Sequence, residues 1–133
     1  MELGASRHLA RQRALELLYE ADAKARPVTR VLDEQAISPD PYARLLLESA
    51  ERHRGRAEDL ISRHAHDWPL ERLAVIDRLV MVLAIGEMLS EDPPPMPVIL
   101  NEAVELAGAY STEGSAAFVN GVLAAVAREI TGT

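Results

Sequence analysis

The sequence predicts an all-α fold of about six or seven helices, packed in two short bundles. Apolar residues recur at helical spacing along most of the chain, proline and glycine separate these periodic stretches, and neither a hairpin signal nor an internal repeat is present. The chain has 133 residues, of which 48% are hydrophobic. That is long enough and apolar enough to bury a core, so residues 1–133 are expected to form a single domain.

The first helix is expected over residues 6–24. Its core face is a stripe of small and apolar residues at helical spacing, namely Ala10, Ala14, Leu17, Leu18 and Ala21. Leu15 and Tyr19 are expected to project away from this stripe, and Arg11 lies at its border. Tyr19 either stacks on a nucleic-acid base beside the basic residues or packs on a later helix, and its spacing leaves both readings open.

The middle of the chain shows clear helix boundaries. A short helix is expected near residues 31–37. The pair Asp40-Pro41 predicts a helix start, because Asp caps an N-terminus and Pro suits the first helical position. Helical periodicity then continues to Pro69, and Gly55 either ends that helix or loosens it.

Residues 70–89 form the most apolar segment and are expected to be the central helix, because only Gly86 and Glu87 interrupt the hydrophobic residues from Leu79 to Leu89. Glu87 is a carboxylate within this segment, where an unpaired buried charge would be costly. It is therefore either paired internally, placed at the surface, or in contact with a partner. The proline-rich segment that follows ends the helix.

A pair of helices is expected over residues 97–130, joined by a small polar elbow. Ser115 is the expected N-cap of the second helix. Phe118 lies on the apolar stripe of that helix, which favours a core position over base stacking. Asn101, Glu102 and Asn120 are expected to tie helices together through capping and side chain–backbone hydrogen bonds.

Charge is distributed unevenly along the chain. The net charge of −7 argues against nonspecific nucleic-acid binding over the whole surface. Residues 1–30, however, hold six Lys and Arg against four Asp and Glu, and residues 31–133 hold eight against seventeen. The segment from Arg7 to Arg13 contains three arginines and no acid. A local basic patch on an otherwise acidic protein is typical of a protein that binds RNA through one edge and binds it together with a partner protein.

Other classes of function find little support. The chain has no Cys, and therefore no disulfide, thiol nucleophile or thiolate metal site. His53, His64 and His66 lack a nearby ligand that would complete a metal shell, so no metal site and no cofactor are predicted. No phosphate-binding glycine loop or nucleophile–base set is present, so no catalysis is expected. The sequence shows no recognisable signal peptide or membrane-spanning segment, which favours a cytoplasmic protein without membrane contact.

Several sequence strings resemble the NusB family of bacterial transcription antitermination factors. The most specific are NEAVELA at 101–107 and FVNGVL at 118–123, and the likeness extends through LAVIDR at 73–78 to RHLARQRA at 7–14. It therefore covers nearly the whole chain and implies a NusB-like helical fold. Many members have Lys where this chain has Gly108, which removes one phosphate contact.

The resemblance implies a function and a set of residues that perform it. It implies binding of boxA RNA together with the ribosomal protein NusE, within the RNA polymerase antitermination complex that transcribes ribosomal RNA operons processively. Glu87 is the expected contact with NusE, and some relatives self-associate, so a homodimer stays open. The residues expected to bind RNA are Arg7, His8, Arg11, Arg13, Tyr19 and Phe118.

Two rival functions follow from the same strings. A protein-only adaptor would bind NusE without useful RNA affinity, and the arginines would then serve only solubility. A NusB-like domain also resembles the N-terminal part of certain RNA cytosine methyltransferases. Those enzymes need a further cofactor-binding domain and a catalytic cysteine, and neither is found in this sequence.

Overall fold

A computed structural model of the chain describes residues 3–66 and 68–133. Within these residues it contains seven α-helices, one short 3-10 turn and no strand, which confirms the all-α prediction. The helices are α1 (Leu3–Ala23), α2 (Val28–Asp33), α3 (Pro41–Arg52), α4 (Arg54–His64), α5 (Val75–Met88), α6 (Met96–Tyr110) and α7 (Ser115–Thr131), with the 3-10 turn at Leu70–Arg72.

Helix α5 is the centre of the fold. Eleven of its fourteen residues are buried, and it contacts α1, α3, α4, α6 and α7. The predicted start at residue 70 is wrong, because the 3-10 turn and an extended Leu73 precede the helix. Apolar composition does not separate such a turn from the helix that follows it. No described helix, α5 included, is long and apolar enough to cross a membrane.

Helices α3 and α5 approach each other closely at Gly86. A Cβ atom on Gly86 would lie 2.9 Å from the Cα atom of Ala50, so only glycine fits without a backbone shift. The hydroxyl of Ser49 donates to the carbonyl oxygen of Gly86 at 2.6 Å. This close crossing sets the position of the last turn of α5, which carries Glu87.

Asp77 joins the start of α5 to the elbow between α6 and α7. The hydroxyls of Ser111 and Ser115 donate to its two carboxylate oxygens at 2.6 and 3.0 Å. The predicted N-cap at Ser115 is wrong, because Gly114 occupies the cap with a φ of 88° and Ser115 is the first residue of α7. A left-handed φ favours glycine, and the Ser115 hydroxyl serves Asp77 instead.

Leu15 is 2% exposed, although the sequence predicted that it projects away from the core. Helix α1 packs against α2, α3, α5 and α6, so more than one of its faces meets the core. A single hydrophobic stripe therefore underestimates how much of this helix is buried.

Three helix boundaries also differ from their predictions. Helix α2 lies earlier than the expected residues 31–37. The break between α3 and α4 falls at His53, whose φ of −104° and ψ of 12° leave the helical region, and not at Gly55. Helix α4 ends at His64, five residues before Pro69.

Candidate nucleic-acid interface

Arg11 and Glu87 form a buried ion pair between α1 and α5. Nε and Nη2 of Arg11 donate to the two carboxylate oxygens of Glu87 at 3.0 and 2.6 Å, and the side chains are 6% and 2% exposed. Burial alone would lower the pKa of Arg11, but the hydrogen bonds and charge of Glu87 outweigh it, so the pKa is raised. The internal ion pair that the sequence left open is what the structure contains. Any effect of either residue on RNA or on a partner is therefore indirect in this structure.

Tyr42 connects this ion pair to Arg7. Its hydroxyl donates to Oε2 of Glu87 at 2.5 Å. The guanidinium carbons of Arg7 and Arg11 lie 4.5 and 5.7 Å from the centre of its ring, within the range of cation–π contacts. Burial and the hydrogen bond to Glu87 raise the pKa of Tyr42, which keeps the phenol protonated. Tyr42 thereby acts as a platform on which the Arg7 side chain rests.

Arg7 differs from the other predicted arginines in how its charge is used. Within residues 3–66 and 68–133 its side chain forms neither an ion pair nor a hydrogen bond. A guanidinium held on an aromatic face keeps its N–H groups available for a phosphate. Arg7 is consequently the best-placed phosphate ligand among the predicted residues.

His8 lies between α1 and α6. Its Nδ1 atom is 2.6 Å from Oε2 of Glu102 and 3.6 Å from Oε2 of Glu105, and its Nε2 atom is 3.3 Å from the side-chain amide of Gln12. Nη1 of Arg11 lies 3.8 Å from Glu102. Glu102 therefore ties α6 to α1, in keeping with the helix-linking role expected for it.

Asn101 and Asn120 do not share that helix-linking role. Both are exposed, and neither side chain forms a hydrogen bond within the part of the chain that the structure describes. The predicted capping and linking role is wrong for these two residues.

The remaining residues predicted to bind RNA form no hydrogen bond with Arg11 or Glu87. Arg13 points elsewhere and donates to Glu16 and Gln35 at 3.1 and 2.7 Å. Tyr19 is 48% exposed near the other end of α1. Phe118, in the first turn of α7, is half-buried against the core.

A surface cavity of about 280 Å³ adjoins Tyr19. Tyr19 and the 41% exposed Tyr110 both line it, together with Leu15, Glu16 and Ile76. The cavity therefore places two exposed aromatic rings on one side of the molecule.

Carboxylates from α5 and α6 largely neutralise the basic patch that the sequence indicated. Arg7 and Arg11 bring two positive charges, while Glu87, Glu102 and Glu105 bring three negative ones. Phosphate binding depends on cationic groups that are free to replace counterions. The acids come from positions far along the chain, so the absence of an acid near Arg11 in sequence was misleading.

Tyr42 is a member of the site that the sequence did not indicate. It stands two residues after the Asp40 cap, and its backbone N–H donates to that carboxylate at 2.8 Å. Its local signal, an aromatic on the apolar stripe of α3, is that of an ordinary core residue. Only the approach of Glu87 from α5 gives its hydroxyl a role.

Comparison with known proteins identifies close likenesses over nearly the whole chain. A sequence model of the NusB family matches residues 8–128. A protein named transcription antitermination protein NusB, from Solibacter usitatus (strain Ellin6076), is 40% identical over 134 aligned positions, covering 95% of this chain and 91% of that protein.

Solved structures agree with the sequence comparison. NusB of T. maritima superposes with a TM-score of 0.82 at 32% identity, covering 92% of this chain and 91% of that one. A crystal structure of the antitermination factors NusB and NusE in complex with dsRNA contains a chain that matches with a TM-score of 0.75 at 25% identity. That match covers 96% of this chain and 99% of the other.

Proposed function

This chain belongs to the NusB family, and from that premise we propose that it is a noncatalytic transcription antitermination factor that binds RNA together with a protein partner. In the finer form of the proposal, the RNA carries a boxA element and the partner is the ribosomal protein NusE. The pair then acts in an RNA polymerase antitermination complex on ribosomal RNA operons. The 40% identical relative named for antitermination and the related structure of NusB and NusE with dsRNA support this proposal.

The observation that carries the RNA-binding part is the placement of Arg7. Its guanidinium rests 4.5 Å above the Tyr42 ring, and Tyr42 is held by the buried Arg11–Glu87 pair. A cation that is fixed in advance loses little conformational entropy when it meets a phosphate. Arg7 would thus contact the RNA backbone, while Arg11 and Glu87 hold the platform beneath it.

The charges around Arg7 support the proposal that a partner takes part in RNA binding. Glu87 is balanced by Arg11, but Glu102 and Glu105 add two negative charges against the one positive charge of Arg7, so the chain alone offers RNA little electrostatic attraction. A partner that brings cationic groups to the same surface would overcome this repulsion. We therefore expect weak RNA binding by the chain alone and much tighter binding by the pair.

A charge-matched pair of variants tests this proposal. Arg7→Gln removes the proposed phosphate contact, while Arg56→Gln removes an equal charge from the exposed surface of α4. With the partner present, we expect Arg7→Gln to weaken RNA binding and to reduce the slope of log affinity against log salt by about one. Arg56→Gln should leave both quantities unchanged. Equal affinities and slopes for the two variants would contradict the role of Arg7.

A second candidate function is a protein-only adaptor. The pairing of Arg11 with Glu87 and of Arg13 with Glu16 favours it, because it leaves little uncompensated positive charge on α1. An adaptor would bind NusE, yet Arg7→Gln would not change function. Partner binding without any preference for boxA RNA over a scrambled RNA would select this candidate.

A further inference from the structure

Three side chains that commonly bind metals meet where α1 contacts α6. One nitrogen of His8 and one carboxylate oxygen each of Glu102 and Glu105 all lie within 4.8 Å of one another. Glu102 and Glu105 are three residues apart on α6, so they project from the same face of that helix. Ligand atoms around a tetrahedral zinc ion at about 2.1 Å lie about 3.4 Å from each other. Small side-chain rotations would therefore bring the three donors to a common ion.

We propose that His8, Glu102 and Glu105 form a binding site for a divalent transition-metal ion, with zinc as the best-matched ion. This departs from the sequence-based prediction of no metal site, which considered only His53, His64 and His66. His8 and Glu102 are 94 positions apart in the chain, so no local spacing indicates that they meet.

The balance of charge around the three ligands favours a dication. Arg11 lies 3.8 Å from Glu102, but its charge is matched by Glu87, with which it shares two hydrogen bonds. Glu102 and Glu105 then remain as two negative charges beside His8. A doubly charged cation balances these two carboxylates and removes their mutual repulsion.

The hydrogen bonds of His8 suit metal coordination through Nδ1. A carboxylate only accepts hydrogen bonds, so the Nδ1 atom that faces Glu102 at 2.6 Å carries the proton in the metal-free state. In the metal-free state the Gln12 amide nitrogen donates to Nε2 at 3.3 Å. On binding, the ion takes the place of the proton at Nδ1, and the neutral ring then carries its single proton on Nε2 instead. Once Nε2 carries the proton, the amide group turns over so that its oxygen accepts from Nε2 and holds the ring in place.

The ligand set also indicates the class of ion. Imidazole nitrogen with two carboxylates suits zinc and its first-row neighbours, whereas magnesium and calcium prefer oxygen ligands throughout. The side chains of His8 and Glu105 are 31% and 65% exposed, so the ion can enter from solvent. Three protein ligands leave the fourth position of a tetrahedral ion to water.

Calorimetric titration of zinc chloride into the full chain, after treatment with a chelator, tests the site. We expect saturable binding near one ion per chain. His8→Gln and Glu105→Gln should each weaken the zinc affinity by at least about tenfold. His64→Gln is the matched control, because His64 contacts the single carboxylate Glu129 at 2.7 Å, and it should leave the affinity unchanged.

Circular dichroism of each variant checks that the fold is retained. Because Glu105 is exposed, its replacement should not disturb the fold. Absence of saturable zinc binding by the parent chain would overturn the proposal. So would full affinity in either His8→Gln or Glu105→Gln, since the site requires both ligands. The titration contains no RNA and no partner, so its outcome is independent of the proposed antitermination function.

Discussion

Replacing Glu87 with glutamine should destabilise the protein strongly, because it removes the hydrogen-bonded counter-charge of the buried Arg11 guanidinium and leaves only Glu102 at 3.8 Å. Both side chains of the pair are at most 6% exposed, so water cannot replace the lost carboxylate. Removing one partner of a buried ion pair costs about 3–5 kcal/mol. Glutamine keeps one hydrogen-bond acceptor, so we expect the lower end, about 3 kcal/mol. For a domain of this length that corresponds to a fall in Tm of roughly 9–15 °C.

Urea unfolding followed by circular dichroism measures this loss, with the m-value expected to stay unchanged. Arg63→Gln is the control, because it breaks an exposed pair with Glu129 and should cost less than about 1 kcal/mol. The combined variant Arg11→Met, Tyr42→Phe and Glu87→Leu should recover most of the stability, since it leaves no buried charge. A loss below about 1 kcal/mol for Glu87→Gln alone would refute the buried ion pair.

Other substitutions test the packing and the titration of the same region. Gly86→Ala should lower the free energy of unfolding by about 1–3 kcal/mol, because its Cβ would lie 2.9 Å from the Cα atom of Ala50 on α3. Gly55→Ala, on open helix surface, should leave the free energy of unfolding unchanged or raise it in the same urea unfolding assay. The raised pKa of Tyr42 means that the unfolded chain loses this proton first, near pH 10. Stability should therefore fall as pH rises above about 10, and Tyr42→Phe should reduce that fall in a pH series of urea titrations. Ser115→Ala removes one of the two hydroxyls bound to Asp77 and should cost about 1 kcal/mol by urea unfolding, and parent-like stability would show that this contact contributes nothing.

Local signals predicted the helices well where they determine the structure by themselves. Asp40 caps α3 through the backbone N–H of Tyr42, with Pro41 at the first helical position, as expected from that pair of residues. Local signals failed where a tertiary contact decides the boundary. Ser115 has the chemistry of an N-cap, but its hydroxyl binds Asp77 on another helix, and Gly114 takes the cap position.

The candidate site was harder to predict, because its contacts join distant parts of the chain. Arg11 precedes Leu18 by seven residues, which places both on one face of α1, so its burial was open to prediction from spacing. Its partner Glu87 lies 76 positions away, and no local pattern pairs the two. A carboxylate in an apolar helix indicates that some buried cation exists, but not which one.

The proposed function requires RNA binding by the chain together with its partner. Fluorescence anisotropy of a labelled boxA-type RNA tests this most directly, titrated with the chain alone and with the chain premixed with NusE, across a salt series and beside a scrambled RNA. We expect weak binding by the chain alone and tighter, sequence-selective binding by the pair. Failure of the pair to distinguish boxA from the scrambled RNA would contradict the proposed function.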